Sequence, residues 1–226
     1  MACLTFFRKI AFCALLACLL QDATAQGTVF SVRAGLSVST EQHTGITVEE
    51  RWIPGWAASL SAETPLAGKL GLVTTLGFIT KGSGLKGVIL AGTPFPYEST
   101  VRVGFVQFSP ALAWMHRRFH LGAGPYLAVC TGGSYTTDAL GMRTIEDADI
   151  GTTQFDDYQP ADWGLHAEAA LKLNKWRVGL SFSYGMANMT PTRQGFGETP
   201  GIRMLTAQVG LGYVFWGAGK GVNKTN

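Results

Sequence analysis

From Thr28 the chain alternates, with Phe30, Val32, Ala34, Leu36 and Val38 on one side and Ser31, Arg33, Gly35, Ser37 and Ser39 on the other. A period of two over this length predicts a β-strand with one apolar and one polar face. The pattern recurs along the chain. Trp56, Ala58, Leu60 and Ala62 oppose Ala57, Ser59, Ser61 and Glu63. Leu70, Leu72, Leu76 and Phe78 oppose Gly71, Thr75 and Gly77, with Thr74 out of step on the apolar face. Val106, Phe108, Pro110, Leu112 and Trp114 oppose Gln107, Ser109, Ala111 and Ala113; Leu121, Ala123, Leu127 and Val129 oppose His120, Gly122, Gly124 and Tyr126. Trp163, Leu165, Ala167, Ala169 and Leu171 face away from Asp162, Gly164, His166, Glu168 and Ala170. Trp176, Val178, Leu180, Phe182 and Tyr184 face away from Arg177, Gly179, Ser181, Ser183 and Gly185. The final run sets Leu205, Ala207, Val209, Leu211, Tyr213 and Phe215 against Thr206, Gln208, Gly210 and Gly212. Eight strands of about 9–12 residues are predicted, the length a tilted strand needs to cross a bilayer.

Which face lies inside decides the fold class. Glycine is abundant, 29 of 226 residues, and falls almost wholly on the polar face. A soluble sandwich would bury its Leu and Val and charge its outer face, but only 15% of residues are charged. A narrow barrel with an apolar exterior accounts for both facts, because small inward residues leave room for a few large polar ones. The connections are long, then short, in alternation. Short turns lie at Thr64–Lys69, Met115–Arg118 and Leu173–Lys175; long ones lie between strands one and two and at Thr80–Val101, Thr131–Ala161 and Asn188–Gly201. Such alternation predicts external loops and periplasmic turns, with both termini in the periplasm. Phe30, Trp114, Phe119, Trp176, Phe215 and Trp216 fall at one end of the strands, and Trp56, Phe78 and Trp163 at the other. Two aromatic belts are expected at two membrane interfaces. The fold predicted is an all-β, eight-stranded, antiparallel, up-and-down transmembrane barrel.

The N-terminus reads as an address. Arg8 and Lys9 precede an apolar run from Ile10 to Leu20, and Ala23-Thr24-Ala25 has the form that signal peptidase accepts. Residues 1–25 are therefore expected to be a signal peptide, 26–216 the barrel, and 217–226 a flexible periplasmic tail. Leu15–Cys18 loosely resembles a lipoprotein box but sits inside the apolar run. Cleavage removes Cys3, Cys13 and Cys18 and leaves Cys130 alone, so the mature chain has no internal disulfide and no cysteine metal site.

Candidate chemistry is sparse. If Asn174 centres the turn between strands six and seven, facing residues have numbers summing to about 349, which sets His166 beside Ser183 and Glu168 beside Ser181. A Ser, a His and a Glu together suggest a hydrolase acting on membrane lipid. These residues point into the lumen, however, and the predicted role is an internal hydrogen-bond network of Arg33, Glu168, His166, Arg177 and Gln107. The longest loop carries Glu146, Asp147, Asp149, Asp156, Asp157 and Asp162 without Lys or Arg. Oxygen ligands at this density suit Ca²⁺, but no EF-hand spacing is present, and a solvated acidic loop that contacts a partner or bridges to lipopolysaccharide is the expectation. Arg51 and Arg102, near external strand ends, are placed to meet lipid phosphates or to anchor the interface. A net charge of +3 gives no footprint for nucleic acid. No Walker loop, dinucleotide fingerprint or HExxH occurs, so no catalytic residue, cofactor or metal is assigned, and an aqueous pore would need about 16 strands.

Short motifs carry a resemblance. Leu121–Leu127 (LGAGPYL), Asp162–Leu165 (DWGL) and Leu180–Asn188 (LSFSYGMAN) resemble the outer-membrane β-barrel domain of Bacteroidetes, the PorT-like group. Gln208–Phe215 (QVGLGYVF) is similar to the β-signal read by the barrel-assembly machinery, although about ten residues follow it. The resemblance implies an eight-stranded integral outer-membrane protein, with one branch of the group serving secretion through the outer membrane; from the residues themselves the expectation is a non-enzymatic protein with the external loops as its binding surface. Outer-membrane lipid, lipopolysaccharide, the assembly machinery and an envelope protein are the partners to expect. A secretion accessory and, behind it, a lipid-modifying barrel enzyme are the alternatives.

Overall fold

The computed structural model describes residues 27–44, 49–88, 96–139, 141–153, 155–190 and 201–217. The described residues form ten strands: β1 Val29–Thr44, β2 Glu49–Arg51, β3 Ile53–Ala67, β4 Leu70–Val88, β5 Pro96–Met115, β6 Phe119–Ala139, β7 Met142–Asp147, β8 Ala161–Leu173, β9 Trp176–Gly185 and β10 Gly201–Gly217. Eight of them close a ring in the order β1-β3-β4-β5-β6-β8-β9-β10, every neighbour antiparallel, with β10 returning to β1. Closure leaves the ring without an unpaired edge, which suits a sheet surrounded by lipid. The eight ring strands are the eight the alternation predicts. Residues 1–26 and 218–226, with the expected signal peptide and nearly all of the expected tail, lie outside the described residues.

The apolar face is the outer one. Leu36, Trp56, Leu60, Leu112, Leu127, Leu165, Leu180, Leu211 and Phe215 are each more than half exposed. Their inward alternates are small or polar, and Ser31, Ser61, Ser109, Ser183 and Thr206 are buried. Trp114 packs on Phe119, Trp176 on Tyr213 and Phe30 on Trp216 near the short turns. Trp56 stacks on Phe78 at 4.8 Å near the other rim.

Two of the three short turns are two-residue hairpins. Ala67 pairs with Leu70 around Gly68-Lys69, and Leu173 pairs with Trp176 around Asn174-Lys175. Gly68 and Asn174 both hold φ 59°, a left-handed conformation that Gly and Asn adopt most readily. The Asn174 turn fixes the predicted register, for His166 pairs with Ser183 and Glu168 with Ser181.

At the long-loop end the structure departs from the expectation. The alternation predicts loops over residues 80–101 and 131–161, yet β4 runs to Val88, β5 starts at Pro96, β6 continues to Ala139, and β7 turns back along it. Short β2 pairs with β4. The physical reason is an inversion of the hydrophobic pattern. Above the aromatic rim the outside faces water, so Arg102 and Lys86 point out while Val101, Val103 and Phe105 point in and are buried. The apolar face changes sides, and a reading that follows one apolar face ends there. The Trp56–Phe78 rim also marks a break in the wall. Pairing of β3 with β4 stops at Ala57–Ile79, and the Thr80 hydroxyl takes over, accepting from the Trp56 amide at 2.8 Å and donating to its carbonyl at 3.2 Å.

Candidate functional site

The lumen is a column of charged side chains from opposite walls. Nearest the short turns, Glu63 on β3 accepts from Lys172 Nζ on β8 at 2.7 Å and from Arg177 Nε on β9 at 3.1 Å. Arg177 also donates to the Asn174 and Trp176 carbonyls, tying this tier to the tight turn. His120 on β6 is fully buried 3.8 Å from both Glu63 and Glu168. Glu168 faces Arg33 at 3.5 Å. The Arg33 side chain lies across Gly179 and Gly210, where a Cβ would stand 3.1 Å from its Cζ and Cγ, respectively. Gly179 leaves room for the guanidinium and Gly210 for the aliphatic stem that carries it.

Toward the long-loop end, Lys81 on β4 is fully buried and donates to Asp162 on β8 at 2.9 Å. The Tyr126 hydroxyl donates to the same oxygen at 2.8 Å, and the ammonium lies over the Tyr126 ring at 4.5 Å and the Phe105 ring at 5.1 Å. A cation without water needs such surroundings. Above it Glu41 on β1 accepts from Ser83 at 2.9 Å and from Tyr158 at 2.5 Å. Tyr158 comes from the long connection after β7. Burial, with the Glu41 carboxylate second, pushes its phenol well above the usual range. Around it Val101, Val103, Phe105, Ala148, Met189 and Met204 form an apolar core that stops the mouth of the barrel.

The predicted network of Arg33, Glu168, His166, Arg177 and Gln107 is found inside the barrel, but not as one connected set. Arg33 meets Glu168, Arg177 meets Glu63, Gln107 donates to Ser109 at 3.0 Å, and His166 Nδ1 lies 3.0 Å from Ser183 Oγ. Glu63 and His120 connect the two ends, and sequence reasoning gave them no role. A hydrolase would need a third group orienting His166 and a place for substrate. Among the described residues no carboxylate lies within 4 Å of the His166 ring nitrogens. The adjoining cavity, lined by Arg33, Ser59, Gln107, His166, Glu168 and Gln208, has about 30 Å³, room for one or two waters. No acyl chain fits there.

The acidic loop is corrected in one member and explained in others. Asp162 does not belong with the loop acids; as the second residue of β8 it is in phase with Gly164 and His166, turns inward and pairs with Lys81. Asp156 accepts from the Thr153 amide and hydroxyl at 2.6 and 2.7 Å, and Asp157 from the Asp149 amide at 3.0 Å. These carboxylates satisfy the loop's own backbone, as Asp does in turns. Among the described residues no group of three or more metal-ligating side chains converges. Arg51 lies 3.6 Å from Glu98, which also meets Lys86 at 3.3 Å, whereas Arg102 stands exposed on the outer face of β5.

A closed eight-stranded ring with an apolar girdle, a charged core and short turns at one end defines an integral β-barrel membrane protein. Residues 21–190 match the family described as outer membrane protein beta-barrel domain, and the chain belongs to that family. It is accordingly a protein of the outer membrane. No curated protein matches it. Among solved structures it is similar to Ail, the attachment invasion locus protein of Yersinia pestis, at 13% identity, over 84% of this chain and 99% of that one, with a TM-score of 0.41. Neisserial surface protein A is similar at 12% identity over 84% and 99%, with a TM-score of 0.38. OprG from Pseudomonas aeruginosa is similar at 14% identity over 84% and 96%, with a TM-score of 0.37.

Proposed function

We propose that the protein is a non-catalytic outer-membrane barrel whose binding surface is the structure raised at its long-loop end, which faces the cell exterior. The observation that carries this reading is the contrast between the two parts. The His166–Ser183 pair is enclosed beside a cavity of about 30 Å³, while β7 is exposed at every residue. Outer-membrane lipid and lipopolysaccharide surround the girdle. The segment 1–25 acts as a cleaved signal, and the QVGLGYVF sequence of β10 delivers the chain to the barrel-assembly machinery. A PorT-like role in secretion, in a Bacteroidetes envelope, is the second reading; the LGAGPYL and LSFSYGMAN motifs favour it.

The test compares three proteins: wild type, His166→Ala with Ser183→Ala, and a chain with residues 137–144 replaced by a tight turn. Each is assayed for co-purification with envelope components, for binding to lipopolysaccharide-containing vesicles, and for lipid hydrolysis. The expected result is that the shortened hairpin abolishes association while the double substitution leaves it intact. Lipid hydrolysis lost with His166 would sink the non-catalytic reading. Association indifferent to the hairpin would sink the proposed surface.

A further inference from the structure

Among the described residues β7 pairs with β6 alone, and its other edge carries no strand. Ala139 pairs with Met142 across a two-residue connection, so hydrogen-bonded pairs fall at Ala139–Met142, Thr137–Thr144 and Tyr135–Glu146. The amides and carbonyls of Arg143, Ile145 and Asp147 therefore point away from β6. Among the described residues no backbone hydrogen bond joins this edge to the segment that follows it. Ile145 is 67% exposed.

The side chains of Arg143, Ile145 and Asp147 share one face, opposite Asp138, Thr136 and Ser134 of β6. Beyond these lie Glu98, Thr100 and Arg102 of β5. One row across the sheet ends at the edge in the Arg143 cation and another in the Asp147 anion, with Ile145 midway. Charges on an edge strand usually repel a second strand. Here they are arranged to match a copy of themselves.

We propose that β7 pairs antiparallel with β7 of a second copy of this chain, with Ile145 on Ile145 at the two-fold axis and Arg143 opposite Asp147 on each side. Only this register matches the charges. Centring on Thr144 sets Arg143 against Ile145 and Met142 against Glu146, and centring on Glu146 sets Asp147 against Ile145. The axis of an antiparallel strand pair is perpendicular to the sheet. In a barrel wall that direction is radial and lies in the membrane plane. A half-turn about it exchanges up and down, so the second copy sits in a facing membrane. Thr136, opposite Ile145, stands well beyond Val129, the position level with Val106 near the rim. At a rise of ~3.3 Å per residue and a tilt of ~40°, that places the axis roughly 15–20 Å above the rim. The contact is a strand-to-strand tether between two cells, and it rests on the reading of this end as the external binding surface.

The test uses the full mature chain in phosphatidylethanolamine–phosphatidylglycerol vesicles carrying two dyes, with tethering read by co-sedimentation and energy transfer. Wild-type vesicles are expected to tether. Arg143→Asp sets two carboxylates face to face at both ends of the pairing, and Asp147→Arg sets two cations there, so each variant should lose tethering to itself. Mixing the two variants restores opposite charges at both contacts and should recover the wild-type level. Ile145→Cys should cross-link between vesicles and not within one, because paired Cα atoms about 5.5 Å apart lie in disulfide reach. Unheated gel migration confirms that every variant is a closed barrel. Absence of wild-type tethering, persistence in either single variant, or no recovery on mixing would each overturn the proposal. If the hairpin still carries association with envelope components, the binding surface stands and only the self-pairing falls.

Discussion

Lys81 has no exposed side-chain surface and depends on Asp162 and two aromatic rings for its charge. Removing one partner of a buried pair leaves the other unpaired at about 3–5 kcal/mol, whereas replacing both is far milder. Lys81→Met is therefore expected to lower the temperature at which the unheated gel form disappears. Lys81→Met with Asp162→Asn should recover most of that loss; an equal loss in both would mean that the ion pair contributes nothing specific. Arg33 supplies a second case, in which space decides. Gly179→Ala asks the guanidinium to shift by a few tenths of an ångström. Gly179→Leu fills the place of the guanidinium and should break the contact with Glu168, costing about 1–3 kcal/mol in the same melting assay.

The tight turns are where a single element settles a large part of the fold. Asn174 holds φ 59° between Leu173 and Trp176. Asn174→Gly should leave the melting temperature almost unchanged, whereas Asn174→Val, stiff and β-branched, should lower stability by about 1–2 kcal/mol. A drop of the same size for both would show that the side chain, not the backbone, governs the turn. The His166–Ser183 register was legible from this turn alone, as were the eight strands from their alternation. What escaped the sequence reading lies above the Trp56–Phe78 rim. Lys81-Gly-Ser-Gly reads as a loop by composition, yet Lys81 and Ser83 continue the inward phase of Thr75 and Gly77. Val101, Val103 and Phe105 look like the opposite phase to Val106 and Phe108, because solvent replaces lipid outside and the Tyr158 loop fills the inside. Glu63 and His120 were in phase on inward faces, but nothing in a linear sequence states which cations stand across a lumen. Asp162 counted both as an inward strand residue and as a loop acid; the strand phase proved to be the right guide.

A closed ring migrates as a compact body until heat opens it, so the mature protein in detergent should run differently unheated and boiled, and co-migration would contradict the closure seen between β1 and β10. The column inside that ring has a further consequence for how the molecule comes into being. Glu63 meets Lys172 and Arg177, Arg33 meets Glu168, Lys81 meets Asp162, and Glu41 meets Tyr158. In each case one partner lies in β1–β4 and the other in the chain from Tyr158 onward. The early half of the polypeptide holds buried polar groups whose partners have not yet been delivered, and the late half holds the reverse. Neither half is a smaller barrel awaiting enlargement. Sealing the wall and neutralising the interior are therefore a single event, and a nascent chain interrupted before β8 has no resting state in the bilayer at which to wait.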